Sequence, residues 1–490
     1  MWDKELLKET LEEKFKDHVF VIVSNREPYI HTLDKNGKVV FKASIGGVSI
    51  IFDSILQKTK GIWVAYGGSL TDRAAADDKG HVHVPPKNPK YLLKRVWMTE
   101  KEKKGYYDGF SNETLWPLCH VAFVRPFFRL EDWKLYQRVN KKFADAVLEE
   151  IEGKKALVWI QDYQLALVSK YLREKRPDLT IAHFWHIPWP TYEIFRICPW
   201  RKEILEGLLS NDLIGFHRYH HAENFLQNVS AELEANIDNE DMVISFKKRK
   251  TKIGAFPISV DYSEITKILS GYKKDDDFIA KFVPQKYKYL ALGVDRLDYT
   301  KGIPNRLLAI SRFLEKYPEY QGKFTYLGIE APSRMTIDAY KRLTKEVRTL
   351  VDEINKKFAT PSWQPICLVN EVVEREKILK LGYSADLCIV TPLDDGMNLV
   401  AKEYVVANKG DGALLLSNFV GASKELSESF FINPYDVEGM ADKIKEALEC
   451  PTVEKKKRIM RMKEIVKDRN VFRWAGKFLI EVSNFLNEKN

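Results

Sequence analysis

Cysteine is scarce in this chain: 5 in 490 residues, at positions 119, 198, 367, 388 and 450, an odd number without a CxxC pair. That argues against a disulfide framework or a cysteine-built zinc site and leaves the five as packing residues. Long apolar runs are missing too. The longest, "YLALGV" and "GALLLSNFVGA", fall well short of the roughly 18 residues that span a bilayer, so no membrane partner is expected. The opening "MWDKELLKETLEEKFKDH" places leucines at helical spacing among charges and lacks the apolar core and cleavage site of a secretory leader. It reads as a surface helix of a cytoplasmic protein. No G-x-G-x-x-G follows an apolar run, which argues against a dinucleotide-dependent oxidoreductase, and no lysine can be assigned to pyridoxal phosphate, which argues against a phosphorylase. Short repeats and low-complexity segments are also absent.

Against these absences stand 78 Lys and Arg and 69 Asp and Glu, a net charge of +9. The densest basic cluster, "KKRKTK" at 247–252, lies between "MVISF" and "IGAFPI". That is the pattern of a hairpin tip in water, not of a groove with aromatic residues for bases, and nucleic acid is not an expected partner. At 45% hydrophobic residues the chain can bury a substantial core, and 490 residues exceed one ordinary core. Strand-like runs such as "HVFVIVSNR", "KALVWIQDYQ", "YKYLALGVDR" and "ADLCIVTPLDDG" alternate with amphipathic stretches such as "NRLLAISRFLEKYPEY". The alternation predicts an α/β protein of two doubly wound, Rossmann-like sheets, with domains at 1–257 and 258–470 joined near Pro257.

In open parallel sheets ligands bind beyond the carboxyl ends of the strands, where loops and helix N-termini offer unpaired N–H groups. The polar clusters here leave strands: "SNR" after "FVIV", "QDYQ" after "LVWI", "HIPWP" after "IAHFW", "DRLDYTKG" after "LALGV", "EAPSR" after "TYLGI" and "PLDDGMN" after "LCIVT". They are expected to face one cleft. In "DRLDYTKGI", residues 295–303, Arg296 can give a phosphate two charge-assisted hydrogen bonds, and Lys301, at the start of the next helix, adds a point charge. The plain alternative is a structural pairing of Arg296 with Asp295 or Asp298. In "PLDDGMNLVAKEY", residues 392–404, Gly396 allows close approach and the N–H groups of Met397, Asn398 and Leu399 are expected to point at an anion. Glu403 is then placed to accept from ribose hydroxyls. Here the plain alternative is helix capping by Asp394 or Asp395. His186, and the aromatic residues Tyr106, Tyr107, Phe110 and Trp116, can equally be core.

The segments "VSNR" (23–26), "GG" (46–47), "YYDGFSN" with "LWP" (106–117), "DY" (162–163), "HIPWPT" (186–191), "GFH" (215–217), "AFPI" (255–258), "DRLDYTKG" (295–302), "APSR" (331–334), "DGMNLVAKEY" (395–404) and "NPYD" (433–436) resemble the trehalose-6-phosphate synthase family. They occur in that family's order over almost the whole chain. The resemblance implies a GT-B fold and transfer of glucose from a nucleoside diphosphate glucose, commonly UDP-glucose, to the anomeric hydroxyl of glucose 6-phosphate. Trehalose 6-phosphate forms with retention and without a metal or organic cofactor. By the same resemblance Arg296 and Lys301 bind the donor diphosphate, which the backbone of Gly47, Asn398, Leu399 and Val400 approaches. Glu403 takes the ribose, and Asp395 and His186 hold the donor glucose. Arg26, Tyr107, Trp116 and Arg334 match the acceptor side, with Asp162 on an acceptor hydroxyl. The first domain then binds the acceptor, with a helix at 471–490 packing back on it, and the second binds the nucleotide sugar. A homo-oligomer, dimer or tetramer, is compatible with the family.

Charge logic agrees, because a departing nucleoside diphosphate gains negative charge that preorganised cations stabilise. Retention ordinarily suggests a carboxylate nucleophile, for which Asp162 and Asp395 are candidates; the resemblance implies instead a front-face displacement in which the leaving phosphate helps remove the acceptor proton. Departures from the family pattern fall on the acceptor side. "QDYQL" has Gln161 and Gln164 where histidines are usual, Tyr66 replaces a tryptophan, and Val48 a leucine. Two alternatives follow: a glucosylglycerol-phosphate synthase using glycerol 3-phosphate, to which "REPY" is similar, and a catalytically silent sensor of sugar phosphates, against which the intact clamp argues.

Overall fold

The computed structural model of the chain describes residues 2–43 and 47–489. It divides into two compact units, Met1–Ile258 with Val471–Asn490, and Ser259–Asn470. In the first unit the strands are β1 (Val19–Ser24), β2 (Tyr29–Leu33), β3 (Val39–Ala43), β4 (Ile62–Tyr66), β5 (His81–Val84), β6 (Tyr91–Val96), β7 (Ala156–Gln161), β8 (Thr180–Phe184), β9 (Leu213–Phe216), β10 (Asn236–Asp238), β11 (Val243–Phe246) and β12 (Arg249–Ala255). Ten of them form one sheet in the order β10-β11-β12-β9-β8-β7-β1-β4-β6-β5, and β2 and β3 form a separate hairpin.

Strands β1 and β7 are buried along nearly their whole length, as the continuous apolar runs "VFVIV" and "ALVWI" require of parallel strands covered on both faces. From β1 the chain winds outward to β4 and β6, then returns to β7 and winds the other way. The β1/β7 junction is therefore the topological switch point of this sheet. The helix Val471–Lys489 belongs to this unit and lays Phe478 on Trp159 of β7, ring centroids 4.6 Å apart. Lys247 and Lys248 of the basic cluster make the turn between β11 and β12.

The second unit holds β13 (Tyr289–Arg296), β14 (Phe324–Ala331), β15 (Ile366–Val369), β16 (Leu387–Val390), β17 (Ala413–Ser417) and β18 (Phe430–Ile432), all parallel, in the order β15-β14-β13-β16-β17-β18. Its switch point is β13/β16. Helix Ile303–Lys316 presents Leu307, Ile310 and Phe313 at helical spacing to the core that β13 and β14 supply, each contributing on the order of 2 kcal/mol by leaving water. None of the five cysteines is in a disulfide, and four of them are buried. Among the described residues no helix is long and apolar enough to cross a membrane.

Candidate active site

In the second unit the site grows from a short-range turn. The Asp298 carboxylate accepts the Thr300 N–H and hydroxyl, both at 3.1 Å, and folds Tyr299–Lys301 into a 3-10 turn. The next helix starts only at Ile303, so Lys301 precedes it rather than opening it. Between them Gly302 has φ +61°, and a Cβ there would lie 2.2 Å from the Thr391 carbonyl oxygen. Only glycine lets the loop leaving β13 lie this close to the loop leaving β16. The Leu393 N–H donates to the Thr300 carbonyl at 2.7 Å, and the Thr391 hydroxyl to that of Lys301 at 3.1 Å. This zipper brings Lys301 Nζ to 2.5 Å from Asp395 Oδ2.

Asp395 also takes the Met397 N–H and the Asn398 side-chain amide, both at 3.3 Å. The Met397 N–H, expected to point at an anion, donates to the carboxylate two residues earlier. Asn398, at φ +75°, caps the helix Leu399–Ala407 by accepting the Ala401 N–H at 3.0 Å. Helix capping therefore falls to Asn398. Burial works to lower the Lys301 pKa, but Asp395 and Asp295 outweigh it and hold the ammonium above its ordinary range. Burial likewise works to raise Asp298, and Arg334, Arg296 and Lys301 together hold it below the ordinary carboxylate range.

The two acids that flank Arg296 in sequence are also bonded by other arginines. Asp295 is bonded at 2.5 Å by Arg306, a fully buried residue whose remaining donors reach Thr391 Oγ1 and Tyr326 Oη, both at 2.9 Å. Asp298 accepts from Arg334 Nη1 and Tyr340 Oη, both at 3.1 Å. Arg334, at φ +47°, also donates to Tyr340 Oη. In register opposite Asp295 lies Glu330, 0% exposed, with no hydrogen bond to either carboxyl oxygen among the described residues. Burial pushes this carboxyl up to about 7, Arg306 opposing and Asp295 adding. Glu403, in the second turn of its helix, accepts from Arg375 Nε at 2.7 Å.

In the first unit the turn after β1 is fixed by the Ser24 hydroxyl, which donates to the Arg26 carbonyl and accepts from Trp63 Nε1, both at 2.7 Å. Arg26 and Tyr107 line a cavity of about 420 Å³ together with Tyr66, Lys103, Tyr106 and Glu27. Tyr107 sits in a π-helix, Lys104–Leu115, a rare conformation that concentrates at functional sites. Below, Arg95 bonds Glu27 at 2.7 Å and Asp72 at 3.0 Å. Burial pushes Glu27 up to about 8, against Arg95 and with Asp72. Neither Lys103 nor Glu27 was picked out from the sequence.

Asp162 leaves β7 with φ 71° and ψ 173°, a region that non-glycine residues occupy at a cost of order 1–3 kcal/mol and that clusters at functional sites. Its Oδ1 accepts the His186 N–H at 3.1 Å, and His186 Nε2 lies 2.9 Å from Gln161 Oε1. The glutamine that departs from the family pattern is therefore His186's neighbour. Burial, with His217 and His183 nearby, pushes His186 well below its ordinary range, leaving it neutral. Asn112 ties this pair toward the cavity, donating to the Tyr107 carbonyl at 2.7 Å and accepting from Tyr163 Oη at 2.8 Å. Trp116 is 6% exposed and packs on His120 and Tyr163. Gly47 opens the helix Gly47–Thr59, but its partner Gly46 lies outside the described residues, as do the surroundings of Gly47 and Val48. No three His, Cys, Asp or Glu side chains converge as metal ligands among the described residues.

Known proteins share this architecture. The profile of glycosyltransferase family 20 matches residues 18–484. A trehalose-6-phosphate synthase of Mycolicibacterium vanbaalenii is 38% identical over 473 residues, 94% of this chain and 95% of its own. An E. coli structure bound with UDP-2-fluoro glucose superposes with a TM-score of 0.84 at 29% identity, over 95% of this chain and 98% of that one. An α,α-trehalose-phosphate synthase (UDP-forming) from Burkholderia xenovorans in complex with glucose-6-phosphate gives 0.84 at 29%, over 95% and 99%. The fold is thus GT-B. With that profile spanning nearly every residue and a full-length relative well above 30% identity, the chain belongs to glycosyltransferase family 20.

Proposed function

We propose that the chain is a UDP-forming α,α-trehalose-phosphate synthase, a retaining enzyme that moves glucose from UDP-glucose to glucose 6-phosphate and releases trehalose 6-phosphate and UDP. The observation that carries the reading is the β13/β16 switch point, where Arg296 ends one strand and Lys301 is held charged against Asp395 at 2.5 Å. As the glycosidic bond breaks, its electron pair passes to the diphosphate. Cations fixed there beforehand stabilise the transition state more than the ground state.

In this reading Arg296 and Lys301 take the diphosphate, and the backbone at Asn398, Leu399, Val400 and Gly47 approaches it. Glu403 takes the ribose, and Asp395 and His186 the donor glucose. The neutral imidazole of His186 supports a binding role over a general base. The acceptor proton goes to the leaving phosphate oxygen, on the face from which the acceptor attacks. Arg26, Tyr107, Trp116 and Arg334 serve glucose 6-phosphate, with Asp162 on a hydroxyl, and a cavity of about 420 Å³ beside Arg26 is of a size that suits a hexose phosphate. The first unit is then the acceptor-binding domain, the second the nucleotide-sugar domain, and the setting cytoplasmic. The test follows nucleoside diphosphate release from UDP-, GDP- and ADP-glucose, with glucose 6-phosphate and then glycerol 3-phosphate. Trehalose 6-phosphate from UDP-glucose is expected; turnover with glycerol 3-phosphate alone overturns the reading.

A further inference from the structure

Arg375 is the first residue of the helix Arg375–Ser384, where the backbone dipole disfavours a cation. Two carboxylates from elsewhere account for it. Its Nε donates to Glu403 Oε1 and its Nη1 to Glu264 Oε2, each at 2.7 Å. Three segments of the second unit meet there: the helix following β15, the helix following β16, and the helix Tyr262–Ile268 that precedes β13. The side chains of Arg375 and Glu403 are 15% and 17% exposed, so the pair is better shielded than a surface ion pair and its geometry better fixed. A lone ionised Glu403 would repel an anionic nucleotide. With Arg375 on one oxygen that charge is offset, while the other oxygen keeps acceptor capacity for a neutral diol.

We propose that Arg375 is the positioning residue for the donor's ribose, holding Glu403 against Glu264 so that the second carboxylate oxygen meets the ribose hydroxyls without opposing the diphosphate. The proposal rests on the reading of Glu403 as the ribose contact. Its test compares KM and kcat for UDP-glucose and for the 2′-deoxyribose analogue in the wild type, Arg375→Gln, Arg375→Lys, Glu403→Gln and Glu264→Gln. In Arg375→Gln the KM for UDP-glucose rises about tenfold or more, as expected for a lost charge-assisted hydrogen bond, while kcat stays within about threefold. The preference for the ribose donor falls toward one, and Arg375→Lys recovers part of it.

A wild-type preference in folded Arg375→Gln, alongside a collapsed one in Glu403→Gln, overturns the role of Arg375 and leaves the ribose reading standing. A wild-type preference in Glu403→Gln overturns that reading and the proposal with it. Should Arg375→Gln fail to fold, Glu264→Gln decides, because an unchanged preference there overturns the clamp and a reduced one supports it.

Discussion

Glu330 permits a prediction with a worked magnitude. It is fully buried opposite Asp295, and its pKa stands at about 7 against an ordinary 4.5. A carboxyl whose folded-state pKa is raised contributes stability that is fully present below the unfolded value and lost as pH rises through the folded one. At about 1.4 kcal/mol per pH unit, the interval from 4.5 to about 7 corresponds to about 3 kcal/mol. Glu330→Gln keeps the shape and cannot ionise. Comparing it with the wild type also cancels Glu27, which loses stability in the same direction toward about 8. The assay is urea unfolding at pH 5 and pH 8, read by hydrogen exchange in β13 and β14 so that the second unit is followed on its own. Because part of the effect is already lost at pH 5, the variant should gain about 2.5 kcal/mol on the wild type between the two conditions. A difference that stays constant across them refutes the account of a desolvated carboxyl.

Lys301→Ala, assayed by UDP release, should lower kcat by about 10²- to 10³-fold, the usual loss for one preorganised electrostatic contact; Arg334→Ala should mainly raise the KM for glucose 6-phosphate, and equal effects of the two on the donor would contradict the roles assigned. Asp162→Gly should relieve the backbone at φ 71°, holding or raising the melting temperature by an amount equivalent to about 1 kcal/mol while activity falls steeply. A melting temperature well below wild type would show that the strain relieved is smaller than the contribution of the Asp162–His186 hydrogen bond lost with the side chain.

The parallel strands at the centre of both sheets were legible because buried parallel strands need unbroken apolar runs, and "YLALGV" and "LVWI" carry that demand in their composition. The clamp loops were legible for a related reason, since polar residues directly after such runs must lie at strand ends. What composition could not reveal was pairing. Lys301 and Asp395 are 94 residues apart, and nothing local makes one the partner of the other. Arg306 and Arg334 turn out to bond the two acids of "DRLD" through contacts that only the sheet order creates. The π-helix was invisible because its wider turn uses ordinary residues. Glu330 did leave a signal, an acid closing the otherwise apolar "TYLGI", but it was grouped with the loop that follows.

The contact between Lys301 and Asp395 has a consequence for selectivity. Each charge is answered by the other, at 2.5 Å, before any substrate arrives. An anion such as inorganic phosphate can tempt the ammonium but has no hydroxyl-rich half to replace it at the carboxylate, and so costs Asp395 its charged partner. In the proposed reading, a sugar nucleotide brings both halves at once and can trade places with the internal pair. On that reading the internal pair disfavours the simple anions that crowd any cell.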